Sequence, residues 1–218
     1  MLTGVTHVLL DFDGPVCSVF AGLSAGEVAD RMRERLAADG HLVAEVWRKE
    51  GDPLALLSRI AQERPELAAD ADAVLTELES EAVWQARPNP DIEAMLKACS
   101  ASGRSVVVVS NNAGRAITSY LERAGLASQI RGVVGRVPGE PTSMKPSPRL
   151  LLDAMGDASP AACVFIGDAA RDVEAGDAAG VPTIGYANKP GKDKKLTDAG
   201  AVVVVPSIAE ITDALNAV

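Results

Sequence analysis

Val8-Leu9-Leu10-Asp11-Phe12-Asp13-Gly14 decides how this chain is read. A short apolar run leads straight into two aspartates one residue apart, and a glycine follows. In a pleated strand the side chains of residues i and i+2 share a face, so both carboxylates point the same way where the strand ends. Two like charges held together are costly unless a positive group sits between them or one of them carries a proton. A metal site, or a nucleophile beside its acid/base partner, makes use of such a pair. Asp and Gly also favour ordinary turns, so the pair takes its meaning from the rest of the chain.

Apolar, β-rich runs recur beyond Val5–Leu10, at Ser105–Val109, Gly132–Val137, Ala162–Ile166, Pro182–Tyr186 and Ala201–Val205. Helical stretches fit between them at Ile92–Ser100, Arg115–Ala124, Ser147–Met155 and Arg171–Ala179, and Ile208–Ala217 closes the chain. Gly103, Gly125, Gly156 and Gly180 stand just past helix ends, where a left-handed cap favours glycine. Continuous apolar strands alternating with helices predict a parallel sheet covered on both faces. The expected fold class is α/β: a Rossmann-like, doubly wound parallel sheet in three α/β/α layers.

One region breaks this rhythm. From Leu23 to Ala86 there is no strand signal, while Val28, Met32 and Leu36 recur at helical spacing. Leu57, Ile60 and Leu67 continue the stripe, as do Val74, Leu78 and Ala82, with Gly40, Gly51-Asp52-Pro53 and Arg64-Pro65 as punctuation. The spacing predicts a helical cap over residues 17–87, inserted into a core made of 1–16 and 88–218. Arg87-Pro88-Asn89-Pro90 reads as the return hinge. A helical block beside a strand-end site is well placed to exclude water. Lys189–Lys195 reads as a solvated basic loop.

With 218 residues, 47% of them apolar, the chain is long enough for one large domain or a domain with an insertion. Its longest apolar runs, Val106–Val109 and Val202–Val205, are far too short to cross a bilayer, and no secretion signal is expected at the N-terminus. A formal charge of −9 argues against a nucleic-acid partner, which needs a lysine and arginine surface. A small anionic substrate fits if the site is locally positive. Cys17, Cys99 and Cys163 are odd in number and far apart, which argues against a zinc ribbon or a disulfide framework and fits a reducing cytoplasm. Each reads as a small buried hydrophobe. His7 and His41 are the only histidines, so a polyhistidine metal site is excluded.

Three more strand ends carry polar residues. Ser110-Asn111-Asn112 follows Val106–Val109, and a hydroxyl with successive N–H groups at a helix N-terminus forms an anion cradle or an ordinary cap. Lys145-Pro146-Ser147 precedes another helix and supplies a point charge. Gly167-Asp168 ends a strand and Asp172 begins a helix, an oxygen set that suits Mg2+ or, for Asp172, simple capping. The carboxyl ends of the strands form the ligand crevice of an open α/β sheet. Asp11, Asp13, Ser110, Lys145 and Asp168 thus bring a nucleophile, an acid/base, a hydroxyl, a cation and a metal ligand toward one place.

In these residues the chain resembles the haloacid dehalogenase-like hydrolases. Asp11-Phe12-Asp13-Gly14 looks like the family's first motif, Ser110-Asn111 its second, Lys145-Pro146 its third, and Gly167-Asp168 with Asp172 its fourth. The resemblance covers essentially the whole chain, and the cap position is similar to the phosphoglycolate phosphatase and β-phosphoglucomutase branch. It implies that Asp11 attacks phosphorus and that Asp13 is the acid/base. It implies that Ser110, Asn111 and Lys145 bind phosphate, and that Asp11, Asp13 and Asp168 hold Mg2+, Asp13 through its carbonyl. Asp172 would support Lys145 or a metal-bound water.

The implied activity is phosphatase action on a small phosphorylated metabolite. The alternatives are a phosphomutase of the β-phosphoglucomutase type, or a catalytically weak phosphate-binding or regulatory protein. Two departures fall on the flap leading into the cap. Pro15 stands where threonine or valine is usual, and no acidic residue stands near Ser18. Pro15 lacks an N–H and fixes φ, so altered flap motion is expected. Asp13 argues against dehalogenation, whose enzymes lack that residue. Arg48, Lys49 and Arg59 are candidates to meet an acidic substrate, or else solvated helix residues.

Overall fold

The computed structural model describes residues 2–217, so the end positions 1 and 218 of the expected core lie outside the described residues. Among the described residues, six parallel strands form one sheet. They are β1 (His7–Leu10), β4 (Ser105–Ala113), β5 (Gly132–Arg136), β6 (Cys163–Gly167), β7 (Thr183–Tyr186) and β8 (Val203–Val205). Their order is β5-β4-β1-β6-β7-β8, which makes β1 a central strand with β4 and β6 on its flanks. Leu10 pairs with Val108 on one side and with Ile166 on the other. That register brings Asp11 level with Val109 and Gly167, one residue short of Ser110 and Asp168.

The near-continuous apolar strands are explained by the two layers of helices. Val8, Leu10, Val106, Val108, Val164 and Ile166 point into a core shared with α4 (Ile92–Ala101), α5 (Gly114–Arg123) and α9 (Ile208–Asn216). Leu9, Val107, Val109 and Phe165 point the other way, onto α6 (Arg149–Met155) and α7 (Ala170–Ala179). A strand side chain such as Leu9, fully buried, contributes about 1.5–3 kcal/mol relative to exposure. The expected glycine caps hold: Gly103, Gly125, Gly156 and Gly180 all have positive φ.

The inserted block is helical, as α1 (Ala25–Ala38), α2 (Pro53–Glu63) and α3 (Ala68–Ala82). Val28, Met32, Leu36, Leu57, Ile60 and Leu78 are fully buried, so the apolar stripe is the inner face of the block. Asp52 caps α2 by accepting from the Leu54 N–H at 2.9 Å. The two linkers pair as a short antiparallel ribbon, β2 (Cys17–Ser18) with β3 (Arg87–Pro88). Two-residue strands carry no periodicity, so nothing in the pattern announces them. Part of the basic segment expected as a loop is instead helical, α8 (Lys192–Asp198), anchored by buried Leu196. Among the described residues, no helix is long and apolar enough to cross a membrane.

All three cysteines are buried and unpaired. Burial pushes their thiols up, Cys99 to about 11, despite Arg104 nearby. Thiolate, not thiol, is the reactive species. A native sample at pH 8 is therefore expected to release almost no chromophore from an aromatic disulfide reagent. The same sample in denaturant should titrate three thiols; rapid labelling of the native protein would contradict this packing.

Candidate active site

Asp11, Asp13, Ser110, Asn111, Lys145, Asp168 and Asp172 line one cleft at the carboxyl ends of β1, β4 and β6. Asp11 follows β1 directly, and its own N–H donates to the Ile166 carbonyl at 2.9 Å. The chain then turns tightly. The N–H groups of Val16 and Cys17 both reach the Phe12 carbonyl, at 3.1 and 3.2 Å, and the Gly14 N–H reaches the Cys17 carbonyl at 2.7 Å. Pro15 sits inside this turn without breaking it, because its neighbours make all of these bonds. Gly14 has φ +114°, and a Cβ there would lie 2.4 Å from the Asp168 carboxylate, so only glycine lets the flap pass.

Lys145 is the electrostatic centre. Its Nζ lies 2.8 Å from Asp11 Oδ1 and 2.7 Å from Asp172 Oδ1, and it donates to the Val109 carbonyl at 3.2 Å. Burial works to discharge Lys145, but Asp11 and Asp172 outweigh it and hold the ammonium protonated. Burial pushes Asp11 up to about 7, only partly offset by Lys145. Burial also raises Asp13, against the Val19 N–H, which donates to its Oδ1 at 2.9 Å. Lys145 itself is held by Asn111, whose Oδ1 accepts from the Lys145 N–H at 2.8 Å and whose Nδ2 donates to its carbonyl at 3.1 Å. The Lys145–Pro146 peptide is cis.

Asp172 does two jobs in the folded protein. Its Oδ1 meets Lys145 while its Oδ2 accepts from the N–H groups of Asp168 and Ala169, at 3.1 and 2.9 Å. A Cβ on Gly167 would strike this carboxylate at 2.4–2.7 Å. Asp11, Asp168 and Asp172 each bring an oxygen within 4.8 Å of one another. Each has a partner in the protein, Asp11 and Asp172 in Lys145, Asp168 in Lys192 and Asn188. Three clustered carboxylates against two ammonium groups leave formal negative charge, and such an all-oxygen donor set suits a hard cation.

Some expectations need correction. Ser110 and Asn111 do not sit at a helix N-terminus. After a register shift between Val109 and Ala113, β4 runs on to pair Ala113 with Arg136, and α5 begins only at Gly114. Lys145 likewise precedes α6 by several residues. Lys192, expected as solvated, reaches the Asp168 carboxylate, and Asn188 Nδ2 donates to the same oxygen at 2.8 Å. Arg48 and Arg59 face Glu45 and Glu50, at 3.1 and 3.8 Å, and neither they nor exposed Lys49 lines the cleft.

The sequence reading missed Arg171, in the first turn of α7, which lines both the cleft and a neighbouring cavity of about 270 Å³. Asp52 of the cap lies 3.7 Å from it. It also missed Asp72, Glu79 and Arg136, which with Asn112 of the polar strand end form a buried network behind Ser110. Acids on an amphipathic helix ordinarily face water, so their type carries no signal of burial.

Residues 5–180 match the family model of the haloacid dehalogenase-like hydrolases, and the chain belongs to that family. A phosphoglycolate phosphatase from Salmonella choleraesuis is 30% identical over 96 residues; the match covers 44% of this chain and 38% of that relative's length. The crystal structure of a predicted phosphatase from Clostridium acetobutylicum superposes with a TM-score of 0.74, at 20% identity, covering 98% of this chain and 99% of that one. CbbY from Rhodobacter sphaeroides, solved with phosphate, gives a TM-score of 0.68 at 18% identity, covering 95% and 96%.

Replacing Asp172 by Ala removes one partner of Lys145 and the acceptor of two backbone N–H groups. The variant is expected to lose about 3–5 kcal/mol of stability in urea titration. A loss below about 1 kcal/mol would mean that the buried ion pair does not organise this crevice.

Proposed function

We propose that this hydrolase is a Mg2+-dependent phosphatase acting on a small phosphorylated metabolite through an aspartyl-phosphate on Asp11. One observation carries the reading: a lysine-held carboxylate, a second carboxylate, a hydroxyl and a cation-ready acid share one cleft. Phosphoryl transfer depends chiefly on positioning and on neutralising charge, and this set is built for both. The segment similar to phosphoglycolate phosphatase supports the same class of reaction.

In the first half-reaction an Asp11 oxygen bonds to phosphorus as the ester P–O bond breaks, and Asp13 gives its proton to the departing alcohol oxygen. The burial that raises Asp13 suits it to carry that proton. In the second half-reaction Asp13, now a carboxylate, takes a proton from water as the water oxygen bonds to phosphorus. The Asp11–phosphorus bond then breaks, and inorganic phosphate leaves. The Ser110 hydroxyl and the Asn111 N–H hold phosphoryl oxygens, and Lys145 favours the ionised form of Asp11 against its burial and holds it in line. When bound by Asp11, Asp13 and Asp168, Mg2+ supplies positive charge against the phosphoryl oxygens. Leu54 and Ser58 of α2 face Thr142, Met144 and Arg171 across the neighbouring cavity, where the leaving group would lie. Three buried thiols fit a protein of the reducing cytoplasm.

Phosphate release from a panel of phosphoesters, without any bisphosphate activator, tests the reading. Asp11→Asn is expected to lower turnover roughly 10³-fold or more while keeping the fold. A chelator should abolish turnover, and added Mg2+ should restore it. Full activity in chelator, or in Asp11→Asn, would refute the mechanism.

A further inference from the structure

Asp72, Thr76 and Glu79 lie on one face of the cap helix α3, at i, i+4 and i+7. That face carries charge into a buried interface. Glu79 has no exposed surface, and Asp72 and Arg136 are almost as deeply buried. Arg136, the last residue of β5, donates through Nε to Asp72, through Nη1 to Glu79 Oε1 at 3.0 Å, and through Nη2 to Thr76 Oγ1 at 3.2 Å. The same Nη1 donates to the Asn111 carbonyl at 2.8 Å. Glu79 also accepts from Asn112 Nδ2 and from the Ala113 N–H, both at 2.9 Å.

Holding a cap onto a core does not call for such a network. Well-packed apolar residues do that as well as a buried ion cluster or better. What the network does is orient. A carboxylate only accepts, so Glu79 compels Asn112 to present its NH2. The Asn112 amide oxygen is thereby turned to Ser110 Oγ, which donates its one proton to it at 3.2 Å and must turn that proton to a phosphoryl oxygen in order to hold it, while the Asn112 N–H, donating to Oγ at 3.2 Å, keeps that oxygen in place. Arg136 meanwhile anchors the Asn111 peptide, and Asn111 clamps the backbone of Lys145. The three phosphate-binding residues of the proposed site, Ser110, Asn111 and Lys145, thus hang directly or in turn from groups that Glu79 and Arg136 hold.

We propose that Glu79 is a positioning residue: through Asn112 and Arg136 the cap completes the phosphoryl cradle, so that phosphate binding itself depends on the seating of α3. The inference rests on the phosphatase reading for the identity of the ligand, but its test does not need turnover. Three donors converge on the two oxygens of Glu79. Glu79→Gln offers one oxygen and one NH2, so the cradle loses its orientation while side-chain volume is kept.

Calorimetric binding of inorganic phosphate, with Mg2+ present, is the decisive measurement. Glu79→Gln is expected to weaken phosphate about 10-fold or more and to lower kcat/KM by a similar factor for every leaving group. Leu215→Ala, a cavity beneath α9 on the side of the core away from the cap, controls for lost stability. It should lower the unfolding midpoint yet leave phosphate affinity unchanged. Wild-type affinity in a folded Glu79→Gln protein, or an equal loss of affinity in Leu215→Ala, would overturn the inference. A wild type that binds phosphate but hydrolyses no phosphoester would overturn the phosphatase reading and leave this one standing; a wild type that binds none would overturn both.

Discussion

The buried Lys145 ammonium sets the terms for everything around it. It lies between Asp11 and Asp172, two carboxylates from different ends of the chain, with the Val109 carbonyl as a third contact. An unpaired ion at this depth would be prohibitively costly, so the three side chains stabilise one another or none is stable. Their meeting depends on sheet register. Because β1 is flanked by β4 and β6, the residues after Leu10, Val108 and Ile166 arrive together at one edge. Burial raises Asp11 further than Lys145 lowers it, and the three clustered carboxylates form an oxygen set that could hold a further cation.

The cap meets this crevice in two chemically different ways. The α2 side is apolar or weakly polar at Leu54, Ala55 and Ser58, and leaves a cavity against the core. The α3 side is charged, buried and fully engaged with the strand end that carries Ser110. In the proposed phosphatase, choice of leaving group belongs to the first surface. Placement of the phosphoryl group, common to all substrates, belongs to the second. The near contact of Asp52 with Arg171 is a third meeting of cap and core, and it is exposed and long enough to contribute little by itself.

The layers of the fold were legible because burial on both faces demands continuous apolar strands, and such runs stand out at Ser105–Val109 and Cys163–Ile166. The inserted helices were legible from the fourfold spacing of Val28, Met32 and Leu36. The acids and the lysine of the crevice were legible because strand ends are where charge has a use. The turn accommodates Pro15 because its hydrogen bonds run through Gly14, Val16 and Cys17. Lys192 looked solvated because a run of lysines usually is. Its contact with Asp168 comes from the α8 start lying beside the β6 end.

Periodicity, turn chemistry and the type of residue at each strand end are local properties, and the sequence alone determined the sheet, the helical insertion and the set of polar residues that gathers in the cleft. Glu79, Asp72 and Arg136 are different. On a helix or a strand written out in one dimension they are ordinary surface charges, separated by 57 and 64 positions from their partner. Only the docking of α3 onto the ends of β4 and β5 takes water away from them and gives each its partner. That step is tertiary, because desolvation belongs to the interface and not to any residue in it.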